Sequence, residues 1–414
     1  MVMAEKGIIM DYIQSKSDFL ADMTSKFIQT PSPSGSEGEV AKVLLDALRG
    51  VGLDAKIDFA GNVIGAMKGD QDRSGMHPKR LAFNVHLDVV PAGPAESWLK
   101  DPFSGAITEG RVYGRGASDT KGAWAPMILA MDAVMKNGGV NGDVLFTAVV
   151  MEELTYSIGM KTLLDSTLKD TPPDYIVSGE ATSLNIAVGH RGRTELELTT
   201  RGRSCHASAP WRGENALYKA GKVITAIEKL SKEMDNGPAH PLLGKSTLAL
   251  THIESMPGGH NVIPDLCKMY LDYRFLPGET LETIAGKVRQ KLGADKLEAD
   301  VQAGGSDEVT YTGYRFVGQK YMPGFAIDTG HPLVCEADRA VRDVLGCPPK
   351  VQRWDFATDG GYSMGVLGIP TIGFSPCEEQ LAHTTNEYVR VDSMVKAAKI
   401  YAKMILDICG AAKK

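Results

Sequence analysis

Asp143-Val144-Leu145-Phe146-Thr147-Ala148-Val149-Val150-Met151 is nearly unbroken apolar and β-branched, and it ends in Glu152-Glu153. A run of this kind reads as a strand covered on both faces, as in sheets that carry helices on each side. Residues 81–85 form a second short apolar strand that leads straight into His86-Leu87-Asp88, and residues 175–178 a third that delivers Glu180. Between them, residues 122–136 carry a helical pattern with Pro126 near its first turn and Gly138-Gly139 as its stop. Strands alternating with helices predict an α/β fold with an open mixed, largely parallel sheet flanked by helices. Ligands of such sheets collect beyond the carboxyl ends of the strands. His86, Glu152, Glu153 and Glu180 all occupy that kind of position.

On the N-terminal side, Phe19, Met23 and Phe27, with Leu20 and Ile28, predict an amphipathic helix that stops before Pro31. Ser36 and Glu39 have capping-box spacing, and Val40, Leu44 and Leu48 carry the apolar face of a helix ending near Gly50. Residues 55–59 and 63–67 read as strands around a turn at Gly61-Asn62. From about residue 188 the pattern changes. Strands at 194–200, 247–254, 266–275 and 297–301, with helices at 216–232 and 281–292, give the order βαββαβ of a ferredoxin-like module. The first pattern then returns with a helix at 333–345, strands at 351–354 and 369–374, a loop at Thr358-Asp359-Gly360-Gly361, and a closing helix that buries Met394, Ala398, Tyr401, Ile405 and Ile408. The expected organisation is one domain, 1–187 with 313–414, interrupted by an inserted lid, 188–312. The lid's uncovered sheet face suits a homodimer.

At 414 residues the chain exceeds one ordinary core, which agrees with two domains. Its apolar content of 43% and charged content of 23% are those of a soluble globular protein. A net charge of -6 offers no basic surface for nucleic acid, and no apolar run approaches the roughly 20 residues that span a membrane. Residues 1–28 lack the pattern of a secretory signal, so a cytoplasmic location is expected. The six cysteines are scattered without CxxC spacing, which argues against a thiolate zinc site or a disulfide framework. Cys205 reads as a small packing residue.

Tyr113-Gly114-Arg115-Gly116-Ala117-Ser118-Asp119-Thr120-Lys121-Gly122 is a tight glycine loop that aims Asp119 at a fixed point. With His86, Asp88, Glu152, Glu153, Glu180 and His383 near other strand ends, it points to a site built from imidazole and carboxylate. Such donors suit zinc, cobalt or manganese, and with Asp119 as a bridge they suit two ions. Of the adjacent glutamates, one can ligate while the other acts on water. Alternation puts Asp88 on the same side as His86, where it can accept the second imidazole N–H. Arg274 lies on the polar face of its strand and suits a substrate carboxylate. The turn Gly258-Gly259-His260-Asn261 can line a cleft, and His206 is a candidate donor to a developing oxyanion.

With these residues placed, the chain resembles the dinuclear-zinc amidohydrolase family of acetylornithine deacetylase, succinyl-diaminopimelate desuccinylase, aminoacylase and glutamate carboxypeptidase. The likeness covers nearly the whole length. It rests on His86-Leu87-Asp88-Val89-Val90-Pro91, Trp98 with Asp101-Pro102-Phe103, the Asp119 loop, Glu152-Glu153, Gly179-Glu180, Asn261-Val262-Ile263-Pro264, Tyr273-Arg274-Phe275-Leu276-Pro277-Gly278 and His383. Ser204-Cys205-His206-Ala207-Ser208-Ala209-Pro210 and residues 354–361 look most like the branch of selenium-metabolism-linked hydrolases.

The resemblance implies two Zn2+, with Co2+ or Mn2+ as substitutes: His86 and Glu180 on one ion, Glu153 and His383 on the other, Asp119 between them. It implies Glu152 as general base, Asp88 as the partner of His86, and a cis peptide between Asp119 and Thr120. His206 and Asn261 would reach the substrate, in related enzymes sometimes from the neighbouring subunit, and Arg274 would bind its carboxylate. The reaction implied is hydrolysis of an N-acyl amino acid or short peptide. The rivals are an aminopeptidase or dipeptidase acting on a free amine, and a metal-free binding protein on the same fold. One departure stands out: relatives follow the paired glutamates with Gly-Ser-x-Gly, whereas this chain has Leu154-Thr155-Tyr156-Ser157-Ile158-Gly159. Bulk at Tyr156 is expected to reshape the acyl pocket.

Overall fold

A computed structural model of the chain describes residues 2–70, 78–154 and 157–412. The apolar run after Asp143 forms the strand Val144–Val149, buried at every position. It sits inside a nine-stranded sheet. From one edge the order is Asp54–Ile57, Val63–Met67, Val144–Val149, Leu81–His86, Tyr175–Ser178, Thr371–Gly373, Ile186–His190 and Phe325–Ala326, with Val351–Trp354 also paired to Ile186–His190. Leu81–His86 is parallel to both neighbours, and Tyr175–Ser178 is parallel to Thr371–Gly373. Toward both edges antiparallel ladders enter, although Val351–Trp354 runs parallel to Ile186–His190. Loop length accounts for part of this, since a short turn can only reverse the chain whereas a helical crossover returns it parallel. The turn after Asp54–Ile57 is one such reversal, fastened by Asp58 Oδ1, which accepts the backbone N–H groups of Ala60, Gly61 and Asn62 at 2.9–3.0 Å.

On one face of the sheet lie the helices Ser17–Ile28, Lys121–Lys136 and Val391–Cys409. Trp124 meets Phe27 with ring centroids 5.1 Å apart, and Tyr401 meets Phe83 at 5.1 Å and Phe374 at 5.4 Å. Each fully buried side chain of this size contributes about 1.5–3 kcal/mol, so this layer fixes the sheet. A smaller cluster of Leu145, Val149, Met160, Leu163 and Ile176 covers the other face. The helix after Ser36 begins at Gly38 with Glu37 as N-cap and no side-chain capping bond, so the predicted capping box does not form. Glu37 is buried and its Oε1 accepts the Met151 N–H at 3.1 Å, a tertiary use that spacing along the chain does not reveal.

A second, antiparallel sheet has the order Thr247–Met256, Leu266–Phe275, Gly192–Arg201, Asp300–Ala303. Helices Ala216–Met234 and Leu281–Ala294 pack on it through Val223, Ile227, Ile284 and Val288. The crossings between sheets are displaced from the expected limits. Strand Ile186–His190 carries the large sheet past residue 187, and Tyr321–Met322 still pairs with Gly192–Arg201 before Phe325–Ala326 rejoins the large sheet. Two-residue strands carry no periodicity, which is why the return point was invisible. The intervening hairpin, Gly305–Val309 with Arg315–Gln319, reaches back to the large sheet, where Tyr311 Oη donates to Gly61 O and Thr312 Oγ1 to Phe59 O, each at 2.8 Å. Among the described residues, no helix is long and apolar enough to cross a membrane.

Candidate metal centre

The loop that carries Asp119 turns at Gly114, φ 144°, and Gly116, φ 87°. A Cβ at Gly116 would stand 2.7 Å from Val89 Cγ1, so glycine is required there twice over. Glu387, fully buried, holds the loop: Oε1 accepts the Ser118 N–H at 2.6 Å, and Oε2 accepts the Gly116 N–H at 3.0 Å and Arg115 Nη1 at 2.7 Å. Buried Lys121 donates to Phe27 O at 3.0 Å and Thr30 O at 2.8 Å. The Phe27 carbonyl belongs to the last turn of the helix Ser17–Ile28 and Thr30 follows just beyond its cap, a place where orphan acceptors and the dipole favour a cation. The Asp119–Thr120 peptide is cis.

Held this way, Asp119 divides its oxygens between two histidines. Oδ1 lies 3.0 Å from His86 Nε2 and Oδ2 lies 2.9 Å from His383 Nε2. Glu180 Oε1 is 3.7 Å from His86 Nε2, and Glu153 Oε2 is 3.1 Å from His383 Nε2. His86, Asp119 and Glu180 form one group whose donor atoms lie within 4.8 Å of one another, and Asp119, Glu153 and His383 form another. Donors about 2.0–2.1 Å from a tetrahedral zinc stand about 3.3 Å apart, and the histidine-to-carboxylate separations of 2.9–3.7 Å in the two groups bracket that spacing.

The charge balance agrees. Burial drives Glu152 and Glu180 well above the ordinary carboxylate range; Glu180 and Asp359 push the first further, and Asp119 the second. Burial raises Asp359 to about 6. Hydrogen bonds to Asp119 and Glu153 raise His383 to about 10. Burial opposes charge on His86, but Asp119, Glu180 and Glu152 hold its pKa well above the usual value. The centre is short of positive charge, and divalent cations are what such a donor set lacks.

Asp88 differs from expectation. His86 Nδ1 lies 2.9 Å from the main-chain carbonyl of Asp88 and 3.7 Å from its carboxylate, so the carbonyl orients the ring. The carboxylate instead accepts the backbone N–H groups of Glu152 at 3.0 Å and Glu153 at 3.1 Å, and the Ser34 hydroxyl at 2.6 Å. Asp88 therefore positions the glutamate pair.

Asp119, Glu152, Glu153, Glu180 and His383 line a cavity of about 430 Å³. Arg274 reaches it from the second sheet, together with Arg193, Phe356 and Glu379, which the sequence reading did not single out. His206 and Asn261 do not line this cavity. Both are exposed, on neighbouring segments in which His206 pairs with Val262. Tyr156 lies outside the described residues. Glu387 and Asp359 also went unrecognised as contributors to the centre; the Asp-Gly-Gly turn was legible as a loop, but nothing in it indicated that Asp359 is buried.

The sequence model of the peptidase family M20/M25/M40 matches residues 82–407. The Escherichia coli K12 protein YgeY is 31% identical over 400 residues, covering 95% of this chain and 96% of its own. Succinyl-diaminopimelate desuccinylase of Nitrosospira multiformis is 27% identical over 392 residues, covering 93% of this chain and 97% of the enzyme. Among solved structures, the M20 family metallo-carboxypeptidase Sso-CP2 of Sulfolobus solfataricus superposes with a TM-score of 0.74 at 17% identity, over 92% of this chain and 97% of that one. The Bacillus subtilis YXEP protein, described as a dinuclear metal binding peptidase, gives 0.69 at 15% identity, over 96% and 100%.

Proposed function

The chain belongs to the peptidase family M20/M25/M40, a family of metal-dependent hydrolases, and on that premise we propose that it cleaves the amide bond of an N-acyl amino acid or short peptide bearing a free carboxylate. The observation that carries this reading is the division of Asp119, with one oxygen toward His86 and the other toward His383. His86 and Glu180 would hold one zinc ion and Glu153 and His383 the other, with Asp119 shared; cobalt or manganese suits the same donors. Ions bound there supply acidification of water and polarisation of the scissile carbonyl.

Glu152, whose main chain is pinned by Asp88, takes the proton of the attacking water and returns it to the leaving nitrogen. Arg274 binds the substrate carboxylate from the opposite wall. His206 and Asn261 act on the substrate of a second copy. This is supported by their exposure away from the cavity and by the lid's edge strand, Thr247–Met256, which presents Ile253 and Met256 to solvent. A second reading has one observation in its favour: Glu379 on the cavity wall suits a free amine, as a dipeptidase or aminopeptidase needs.

The test is hydrolysis of a panel of acetyl, succinyl, formyl and carbamoyl amino acids and free dipeptides by chelated enzyme resupplied with zinc, cobalt or manganese. Glu152→Gln should keep both metals and lose at least about 100-fold in kcat. Turnover at the wild-type rate would remove Glu152 from the mechanism, and preference for free dipeptides would favour the second reading.

A further inference from the structure

Alternation along Leu266–Phe275 sends consecutive side chains to opposite faces of the second sheet. Arg274 reaches the metal cavity, whereas Tyr273 faces the helices Ala216–Met234 and Leu281–Ala294. There Tyr273 lines another cavity, of about 530 Å³, which shares no residue with the metal cavity and lies between the two helices. Its size is that of a small-molecule site.

Tyr273 is 1% exposed, yet its hydroxyl finds no hydrogen-bond partner among the described residues. A buried tyrosine O–H ordinarily has one. Glu279, also in the lining, does not serve it: Oε1 accepts Ser246 Oγ at 2.8 Å and the Leu276 N–H at 3.2 Å, and Oε2 accepts Lys287 Nζ. Burial and then the Glu279 carboxylate hold the phenol above its usual pKa, so it stays a neutral donor. Because the charge acting on that hydroxyl is itself a lining residue, the polar end of the ring is at the cavity. A phenylalanine would fill the same space without a desolvated hydroxyl.

The rest of the lining sets what can meet that donor. Leu230, Met234, Pro238 and Ala294 make apolar walls. The charged residues of the lining are two lysines and two glutamates, paired as Lys287 with Glu279 and Lys291 with Glu233 at 2.6 Å. The lining is therefore neutral, and a charged ligand would have to break one of these pairs. We propose that this cavity is a binding site, separate from the metal centre, for an uncharged small molecule whose apolar body ends in a hydrogen-bond acceptor such as a carbonyl. The acceptor takes the Tyr273 O–H and the body lies on the apolar walls. The inference is independent of the hydrolase reading.

The experiment follows the methyl signal of Met234 by NMR in methionine-labelled protein, with the signal assigned through Met234→Leu. The probes are acetophenone, its hydrocarbon counterpart ethylbenzene, and the anion para-acetylbenzoate. Acetophenone should shift the signal saturably, and Tyr273→Phe should weaken its binding about 3–10-fold, the worth of one neutral hydrogen bond. Ethylbenzene should bind Tyr273→Phe at least as tightly as wild type, para-acetylbenzoate should bind more weakly than acetophenone, and Ala294→Trp at the mouth should abolish the acetophenone shift. No saturable shift by about 10 mM acetophenone, well above the millimolar range expected for so small a ligand, would overturn the site. Equal affinity of acetophenone for wild type and Tyr273→Phe would overturn the role of the hydroxyl and leave water as its partner. An anion that binds there as tightly as the ketone would overturn the ligand class.

Discussion

Replacing Glu387 with alanine should unfasten the loop that carries Asp119, and the structure sets the size of the effect. The substitution leaves the Arg115 guanidinium, 3% exposed, without its charge partner, and strips the acceptor from the Gly116 and Ser118 N–H groups. Breaking a buried ion pair from one side costs about 3–5 kcal/mol, and each stranded buried N–H adds about 1–3 kcal/mol unless water reaches it. The expected loss of stability is therefore about 5–11 kcal/mol with both amides dry, falling to about 3–5 kcal/mol where water reaches both. Urea unfolding followed by tryptophan fluorescence measures it. The double variant Arg115→Met with Glu387→Leu separates the two parts, because replacing both charges by apolar groups restores the ion-pair portion and leaves the two amides unsatisfied. It should recover roughly half the loss in stability while still binding zinc poorly, since Asp119 has lost its mooring. A Glu387→Ala variant within about 1 kcal/mol of wild type would refute the claim that this carboxylate clamps the loop.

The remaining predictions concern other supports of the centre. His190 is buried, with Nδ1 donating to Arg191 O at 2.9 Å and Nε2 accepting the Thr358 N–H at 3.1 Å, and burial lowers its pKa to about 4. The unfolded chain then binds a proton that the folded one refuses, so stability should fall as pH drops from about 6.5 to about 4, by about 3 kcal/mol in all. Denaturation midpoints across that range should be flatter in His190→Gln. Asp88→Ala should lower activity about 10–100-fold with zinc retained in part, because the Glu152 and Glu153 amides lose their common acceptor; full activity in steady-state assays would contradict that role. Gly61→Ala places a Cβ 2.5 Å from the Tyr311 ring at φ 103°, and thermal melts should show a loss of about 1–3 kcal/mol as the hairpin lifts from the large sheet.

What could be read from the chain was whatever local pattern encodes. Short apolar strands ending in His86, Glu152 or Glu180 announce both the sheet and the place where its ligands gather, because burial on two faces leaves only the strand ends for polar groups. The βαββαβ order of the second sheet was equally open to reading, since Leu266–Phe275 alternates buried and half-buried positions along its whole length. Glu387 was silent: it lies outside any periodic element, and its worth comes from three donors some 270 positions earlier. Arg193 was hidden for a related reason, because cross-strand register with Arg274 is decided by the whole sheet. Asp88 was placed near the right partner but with the wrong atom. Side-chain alternation predicts the face a carboxylate occupies, not which of several nearby donors it takes.

The central claim is that one carboxylate serves two ions, and zinc stoichiometry by mass spectrometry on chelated, reloaded and desalted protein tests it most directly. Wild type should carry two zinc ions per chain, and Asp119→Ala should carry fewer than one, because both donor groups lose a member at once. A wild type that saturates at one ion, or an Asp119→Ala variant that still retains two, would contradict the account.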